Sequence, residues 1–191
     1  MRVLRAGARE AVPWKNGGGV TREIAAWPEG AGTGDFAWRV SLAEVAADGP
    51  FSAFLGVERT LTLAEGAGMH LTVGGTARTV TERFAPRDFP GDVPTGCRLV
   101  DGPVVNFNVM YRRGSARADT AVVRGVLALG AAPRETLLVV ALRGPAELDA
   151  GAGPLTLGPY DAALLTPGSG CRLRTAGHAA VVRLVAEHPV Q

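Results

Sequence analysis

The chain has 191 residues, a formal net charge of +2, and 47% hydrophobic against 20% charged residues. That balance excludes a disordered polypeptide, and the scattered arginines, with no basic run interleaved by aromatics, exclude a typical nucleic-acid binder. The longest apolar stretches, residues 137–142 and 179–182, fall far short of the roughly 20 residues of a membrane span.

The N-terminus, Met1-Arg2-Val3-Leu4-Arg5, lacks the apolar core of a signal peptide. Cys97 and Cys171 are far apart and without CxxC spacing, which fits reduced thiols and a cytoplasmic location.

The first segment that stands out is Trp14-Lys15-Asn16-Gly17-Gly18-Gly19. It holds the only lysine and one of three asparagines, in a chain whose other basic residues are all arginine. A composition drifting toward Ala, Gly, Arg and Val keeps Lys and Asn where substitutes do not serve, and both types suit shaped polar sites. Two readings stay open for it. One is a plain turn, with Asn-Gly supplying positive φ; the other is a ligand-facing loop whose glycines let backbone N–H groups approach an anion.

Further along, apolar residues alternate with polar ones. Phe36, Trp38, Val40 and Leu42 fall on one strand face, with Arg39 and Ser41 on the other. Strands are predicted at 60–63, 69–73, 104–110, 136–142, 154–157, 162–165, 171–175 and 179–185, separated by Gly/Pro turns; only Ala43–Ala47 invites a helical turn. Many short strands at regular spacing predict an all-β sandwich or barrel.

A repeat is visible. Residues 60–66 parallel 138–144, and Gly96-Cys97-Arg98-Leu99 recurs as Gly170-Cys171-Arg172-Leu173. Each second element follows a turn and an aspartate, Asp92 or Asp161. The order is that of a duplicated cupin-type barrel half, so the expected fold is an all-β bicupin of two RmlC-like jelly-roll halves, residues 1–115 and 116–191.

Cupin barrels often hold a metal through a His-x-His pair, a glutamate and a later histidine. Here His70, His178 and His188 are unpaired, so no metal and no other cofactor is expected, and His188 is expected at the surface. No Gly-x-Ser-x-Gly elbow or Cys/His signature indicates a hydrolase.

Polar groups instead gather in four segments. These carry the candidate ligand-binding residues Trp14, Lys15, Asn16, Gly17, Gly18 and Thr21; Arg39 and Ser41; Phe51, Ser52 and Arg59; and Asn106, Asn108 and Arg112. Asn106, Asn108 and Arg112 share strand parity, and an Asn-x-Asn pair inside an apolar strand is costly unless its amides are bonded. The amides either tie down loop backbone at a barrel mouth or line a pocket with Arg39, Arg59 or Lys15. In the pocket, arginine would grip a carboxylate and asparagine would read an amide, amidine or hydroxyl.

The segments WKNGGG-V-T-R-E-I (14–24), F-A-W-R-V-S-L-A-E-V (36–45), D-G-P-F-S-A-F-L-G-V-E-R (48–59) and N-F-N-V-M-Y-R-R (106–113) occur in order, and together they resemble the HutD/Ves family. The resemblance is specific over residues 10–115 and general beyond. It implies a bicupin without the usual metal ligands, linked to bacterial histidine utilisation, where the family is thought to limit pathway flux by binding formiminoglutamate. It also implies that the pocket lies in the N-terminal half. Two positions depart from the family pattern, Asn106 and Glu58, where aspartate is frequent; the first removes a charge from the pocket.

The reading favours a non-catalytic binding or regulatory protein for a small carboxylate of histidine breakdown. The alternative is a hydrolase or isomerase of such an intermediate, with Lys15 as base or Schiff-base former. The expected partner is a small anionic metabolite, with no nucleic acid and no membrane; a homodimer is left open.

Overall fold

The computed structural model describes residues 1–187; His188 and the three residues after it lie outside the described residues. In chain order the strands begin with β1 (Arg2–Leu4), β2 (Val12–Pro13), β3 (Gly19–Trp27), β4 (Trp38–Val45), β5 (Gly49–Phe51) and β6 (Val57–Glu65). They continue with β7 (Met69–Val73), β8 (Thr76–Val80), β9 (Pro86–Pro90), β10 (Thr95–Leu99), β11 (Val104–Arg112) and β12 (Ala116–Gly130). The last are β13 (Glu135–Arg143), β14 (Ala146–Asp149), β15 (Pro154–Leu157), β16 (Ala162–Leu165) and β17 (Gly170–Ala186). One 3₁₀ turn, Ala6–Ala8, is the helical element among the described residues, so the fold is all-β as the alternation predicts.

Contacts divide the chain into two units. One comprises Glu10–Ser115. The other joins Met1–Arg9 to the residues from Ala116 onward, because β1 pairs antiparallel with β16, Val3 opposite Ala163. Asp161 fastens that junction by accepting from Ala6 N and Arg5 Nη1, both at 2.7 Å. The first nine residues therefore go with the second half, a pairing across some 160 positions that strand periodicity does not reveal.

The unit Glu10–Ser115 is made of a six-stranded sheet, β2-β3-β4-β11-β6-β9, and a four-stranded sheet, β5-β10-β7-β8. Its core packs Leu61, Leu63, Met69, Leu71, Val73, Val80, Phe89 and Cys97. The helical turn expected at 43–47 is absent. Ala43 and Val45 instead continue β4, paired with Asn106 and Val104 of β11 and with Thr21 and Gly19 of β3, and this two-sided ladder overrides alanine's helical preference.

The unit built on β12–β17 repeats that ladder. β13 lies between β17 and β16 as β6 lies between β11 and β9, and β14 pairs with β15 as β7 pairs with β8. The strands predicted at 171–175 and 179–185 are one continuous strand, β17. Its partner β12 carries no clear strand signal in the sequence, since Arg117, Asp119 and Arg124 break its apolar pattern. The inner face of this unit is filled by aliphatic side chains, among them Leu137, Val139, Leu157, Leu173 and Val181.

The Trp14–Gly19 segment is the loop of the β2–β3 hairpin. Trp14 N donates to Gly19 O at 2.9 Å, Gly17 N to Trp14 O at 3.0 Å, and Gly17 has φ +70°. At Gly19 a side chain would collide with Glu44 O of the neighbouring strand and with the Trp14 indole, so glycine is required by close approach. Gly19→Ala is expected to cost about 1–3 kcal/mol in urea unfolding, whereas Gly34→Ala, where a Cβ meets nothing within 4 Å, should stay within about 0.5 kcal/mol.

Cys97 and Cys171 are both free and buried, and burial pushes the Cys97 thiol up to about 11 and the Cys171 thiol in the same direction. Native protein at pH 8 should therefore resist iodoacetamide and react at both cysteines only once unfolded, as read by intact-mass spectrometry.

Candidate functional site

The inner face of the six-stranded sheet carries the polar residues in register. Across β3, β4, β11 and β6 one row reads Thr21, Ala43, Asn106, Leu63, and the next reads Glu23, Ser41, Asn108, Leu61. A third row runs Arg39, Met110, Arg59 and ends on Phe89 of β9. Strand alternation places all of these on one side, while Trp38, Val40, Phe107 and Val109 are buried on the other.

Thr21, Arg39, Ser41, Ala43, Arg59, Asn106, Asn108 and Met110 of this face form the floor of a cavity of about 570 Å³, while Glu23 lies beside it. Its rim is formed by Val12–Asn16 of the first hairpin, Thr33, and Pro50–Phe54, which runs from β5 into the loop that follows it. The lining carries three cations, Lys15, Arg39 and Arg59, and among the described residues that line it none is acidic.

Arg59 is the exceptional member. It is 8% exposed, and no carboxylate pairs with it among the described residues; its Nε is buried without a hydrogen-bond partner. The guanidinium sits 5.2 Å from the ring centre of Phe51, 5.9 Å from Phe54 and 5.1 Å from Phe89. Burial lowers its pKa to about 10, still well above neutrality, so the cation persists. Each ring contributes on the order of 0.5–2 kcal/mol, against a burial cost of several kcal/mol for an ion.

Arg39 differs. It lies at the β3 side of the row, and its Nε donates to Glu23 Oε2 at 2.7 Å. Lys15 is exposed on the hairpin loop, and Trp14 is fixed by a 2.8 Å bond from Nε1 to Thr21 Oγ1 and an edge-on contact with Phe51. Asn106 and Asn108, 1% and 5% exposed, each have a buried Oδ1 with no partner.

Of the residues singled out in the sequence, Trp14, Lys15, Asn16, Thr21, Arg39, Ser41, Phe51, Ser52, Arg59, Asn106 and Asn108 line the cavity together. Three do not. Gly17 and Gly18 spend their N–H groups inside the loop, on Trp14 O and on Asn16 Oδ1 at 3.1 Å, so they offer none to an anion. Arg112 has the right parity but lies past the cavity floor. Its guanidinium donates to the carbonyls of Gly34 (2.7 Å), Leu55 (3.2 Å) and Phe36 (3.3 Å), tying two rim loops together. Phe54 and Phe89 were not anticipated. Phe54 lies in a loop whose sequence carries no periodic signal, and Phe89 reaches Arg59 only through the β6–β9 pairing.

The donor set does not fit the metal that cupins often carry, since arginine, asparagine and hydroxyl groups face the cavity. His70 bonds Thr79 on the outer strands, and no three His, Cys, Asp or Glu side chains gather to hold an ion among the described residues.

The HutD family model matches residues 6–182. A Pseudomonas putida protein known as the uncharacterized 21.2 kDa protein in the hutC 3' region is 34% identical over 161 residues, covering 84% of each chain. The solved structure of HutD from Pseudomonas fluorescens SBW25 (formate condition) superposes with a TM-score of 0.85 at 33% identity, covering 98% of this chain and 99% of that one. Protein Ylba from E. coli shares the fold alone, with a TM-score of 0.74 at 9% identity over 99% of this chain and 92% of that one. With the family match spanning nearly the whole all-β, cupin-like chain, the protein belongs to the HutD family.

Proposed function

We propose that this chain is a bicupin whose N-terminal half binds a small carboxylate of histidine breakdown, and that it acts by binding, adjusting flux through histidine utilisation. The observation that carries the reading is Arg59, a buried cation facing a cavity with no counter-ion among the described residues. A carboxylate from solution supplies the missing partner, and charge-assisted bonds of this kind are worth about 1.5–3 kcal/mol each. The repeated ladder supports the two cupin halves, with binding confined to one of them, since aliphatic side chains fill the inner face of the other.

The names HutD and hutC 3' region, carried by relatives, support the link to histidine utilisation. Formiminoglutamate, urocanate and formylglutamate are then the ligands to try first. Lys15, exposed at the rim, serves to draw anions in; a Schiff-base role needs a desolvated or otherwise activated amine.

Calorimetry with the three compounds should show saturable heat for at least one, and silence with all three contradicts the reading. Arg59→Met separates the role of the cation from that of packing. Replacing a buried, unpaired charge by an apolar side chain of similar length leaves stability unchanged or raises it, while binding should weaken by roughly 10- to 150-fold. A variant that is destabilised yet binds normally would assign Arg59 to the fold.

A further inference from the structure

The two units differ at one sheet edge. In Glu10–Ser115, β4 is hydrogen-bonded on both sides, to β11 and to β3. β12 stands beside β17 as β4 stands beside β11, since β13 pairs with β17 as β6 pairs with β11. Among the described residues no strand takes the place of β3, so the far edge of β12 is left without a ladder. Such an edge is a template for another strand unless proline, lysine or short length blunts it. β12 runs for 15 residues and contains neither proline nor lysine.

The regular, accessible part of that edge has defined ends. Ala116 is 1% exposed, which closes one of them. At the other the register with β17 shifts between Val123 and Gly125, where φ is +95°, and a bulge of this kind bends the strand and ends a straight ladder. Residues 117–123 lie between, with Arg117, Asp119 and Ala121 exposed. At their midpoint is Thr120, whose Oγ1 is buried with no hydrogen-bond partner among the described residues. A buried hydroxyl left unmatched is costly, and rotation about χ1 turns it toward the free edge.

We infer that a second copy of this chain fills the edge, its β12 antiparallel to the first about a two-fold axis through Thr120. Opposed residues of two strands share a face, so a two-fold between antiparallel copies is normal to the sheet and passes through a residue, not between two. Thr120 then faces Thr120, Asp119 faces Ala121, Ala118 faces Val122 and Arg117 faces Val123. An axis through Arg117 or Asp119 would instead set like charges opposite each other. The two hydroxyls sit on directly opposed residues, with Cβ atoms about 4.5–5.5 Å apart, where one threonine donates to the other. Arg117 needs no partner across the axis, because Glu187 of its own chain accepts from its Nε at 2.5 Å. This interface stands independently of the carboxylate reading.

Sedimentation velocity of the intact chain should show a reversible monomer–dimer equilibrium. Ala121 is the test position, because it is exposed and faces Asp119 twice in the dimer. Ala121→Lys should tighten the dimer about 2- to 30-fold and Ala121→Glu should weaken it by a similar factor, since two cross-strand pairs change at once. Both effects should shrink in high salt, and loss of stability would not give opposite signs at one exposed residue. Under mild oxidation Thr120→Cys should cross-link into a dimer, because opposed Cα atoms about 4.5–5.5 Å apart suit a disulfide. Ala128→Cys, exposed beyond the bulge, should not, and the native cysteines are buried and do not compete. A chain that stays monomeric at every concentration, or a dimer indifferent to both substitutions at 121, overturns the inference. So does a dimer that Thr120→Cys fails to cross-link or that Ala128→Cys cross-links as readily.

Discussion

The site depends on one unbalanced charge. A guanidinium at position 59 faces inward on β6, between β11 and β9, where its strand neighbours Leu61 and Leu63 are fully buried hydrophobics. Taking an ion out of water without a counter-ion costs several kcal/mol even after relaxation. The surrounding residues reduce that cost without removing it, through three phenylalanine rings and the open side of a polar cavity. A carboxylate side chain nearby would have satisfied Arg59 and closed the site; its absence among the lining residues leaves the position for something from outside.

The second unit makes the point by contrast. Leu137 registers with Leu165 on β16 as Arg59 registers with Phe89 on β9, and Val139 and Val181 continue an apolar inner face. The same ladder thus gives a packed core where the row begins with leucine and a solvated, cationic cavity where it begins with arginine. Arg112 and Arg113 serve the cavity from outside it. Arg112 ties the carbonyls of Gly34, Phe36 and Leu55, and Arg113 bonds Glu58 and Asp92, the latter also accepting from Gly56 N; these bonds fix the rim loop bearing Phe54.

Much of this was legible from alternation alone. Period two in 36–42 and 104–110 puts Arg39, Ser41, Asn106 and Asn108 on polar faces, and antiparallel pairing needs only to bring those faces together. What alternation omits is where a strand outruns the cavity, which is why Arg112 looked equivalent to Asn108. It also omits how a loop uses its own N–H groups, which is why Gly17 and Gly18 looked free for an anion. Pairings between distant segments were beyond it as well: β1 with β16, and β6 with β9, which delivers Phe89 to Arg59. At Ala43–Ala47 local propensity pointed to a helical turn, and a strand hydrogen-bonded on both edges prevailed.

The claim that Arg59 is the counter-charge of a bound carboxylate has one direct readout, the Nε–Hε resonance of that residue in ¹⁵N-labelled protein during a carboxylate titration. The account predicts a saturable shift of the Arg59 signal that follows the calorimetric binding curve, with slowed hydrogen exchange in the bound state. A stationary Arg59 signal, while binding is detected and other arginine signals move, would contradict it.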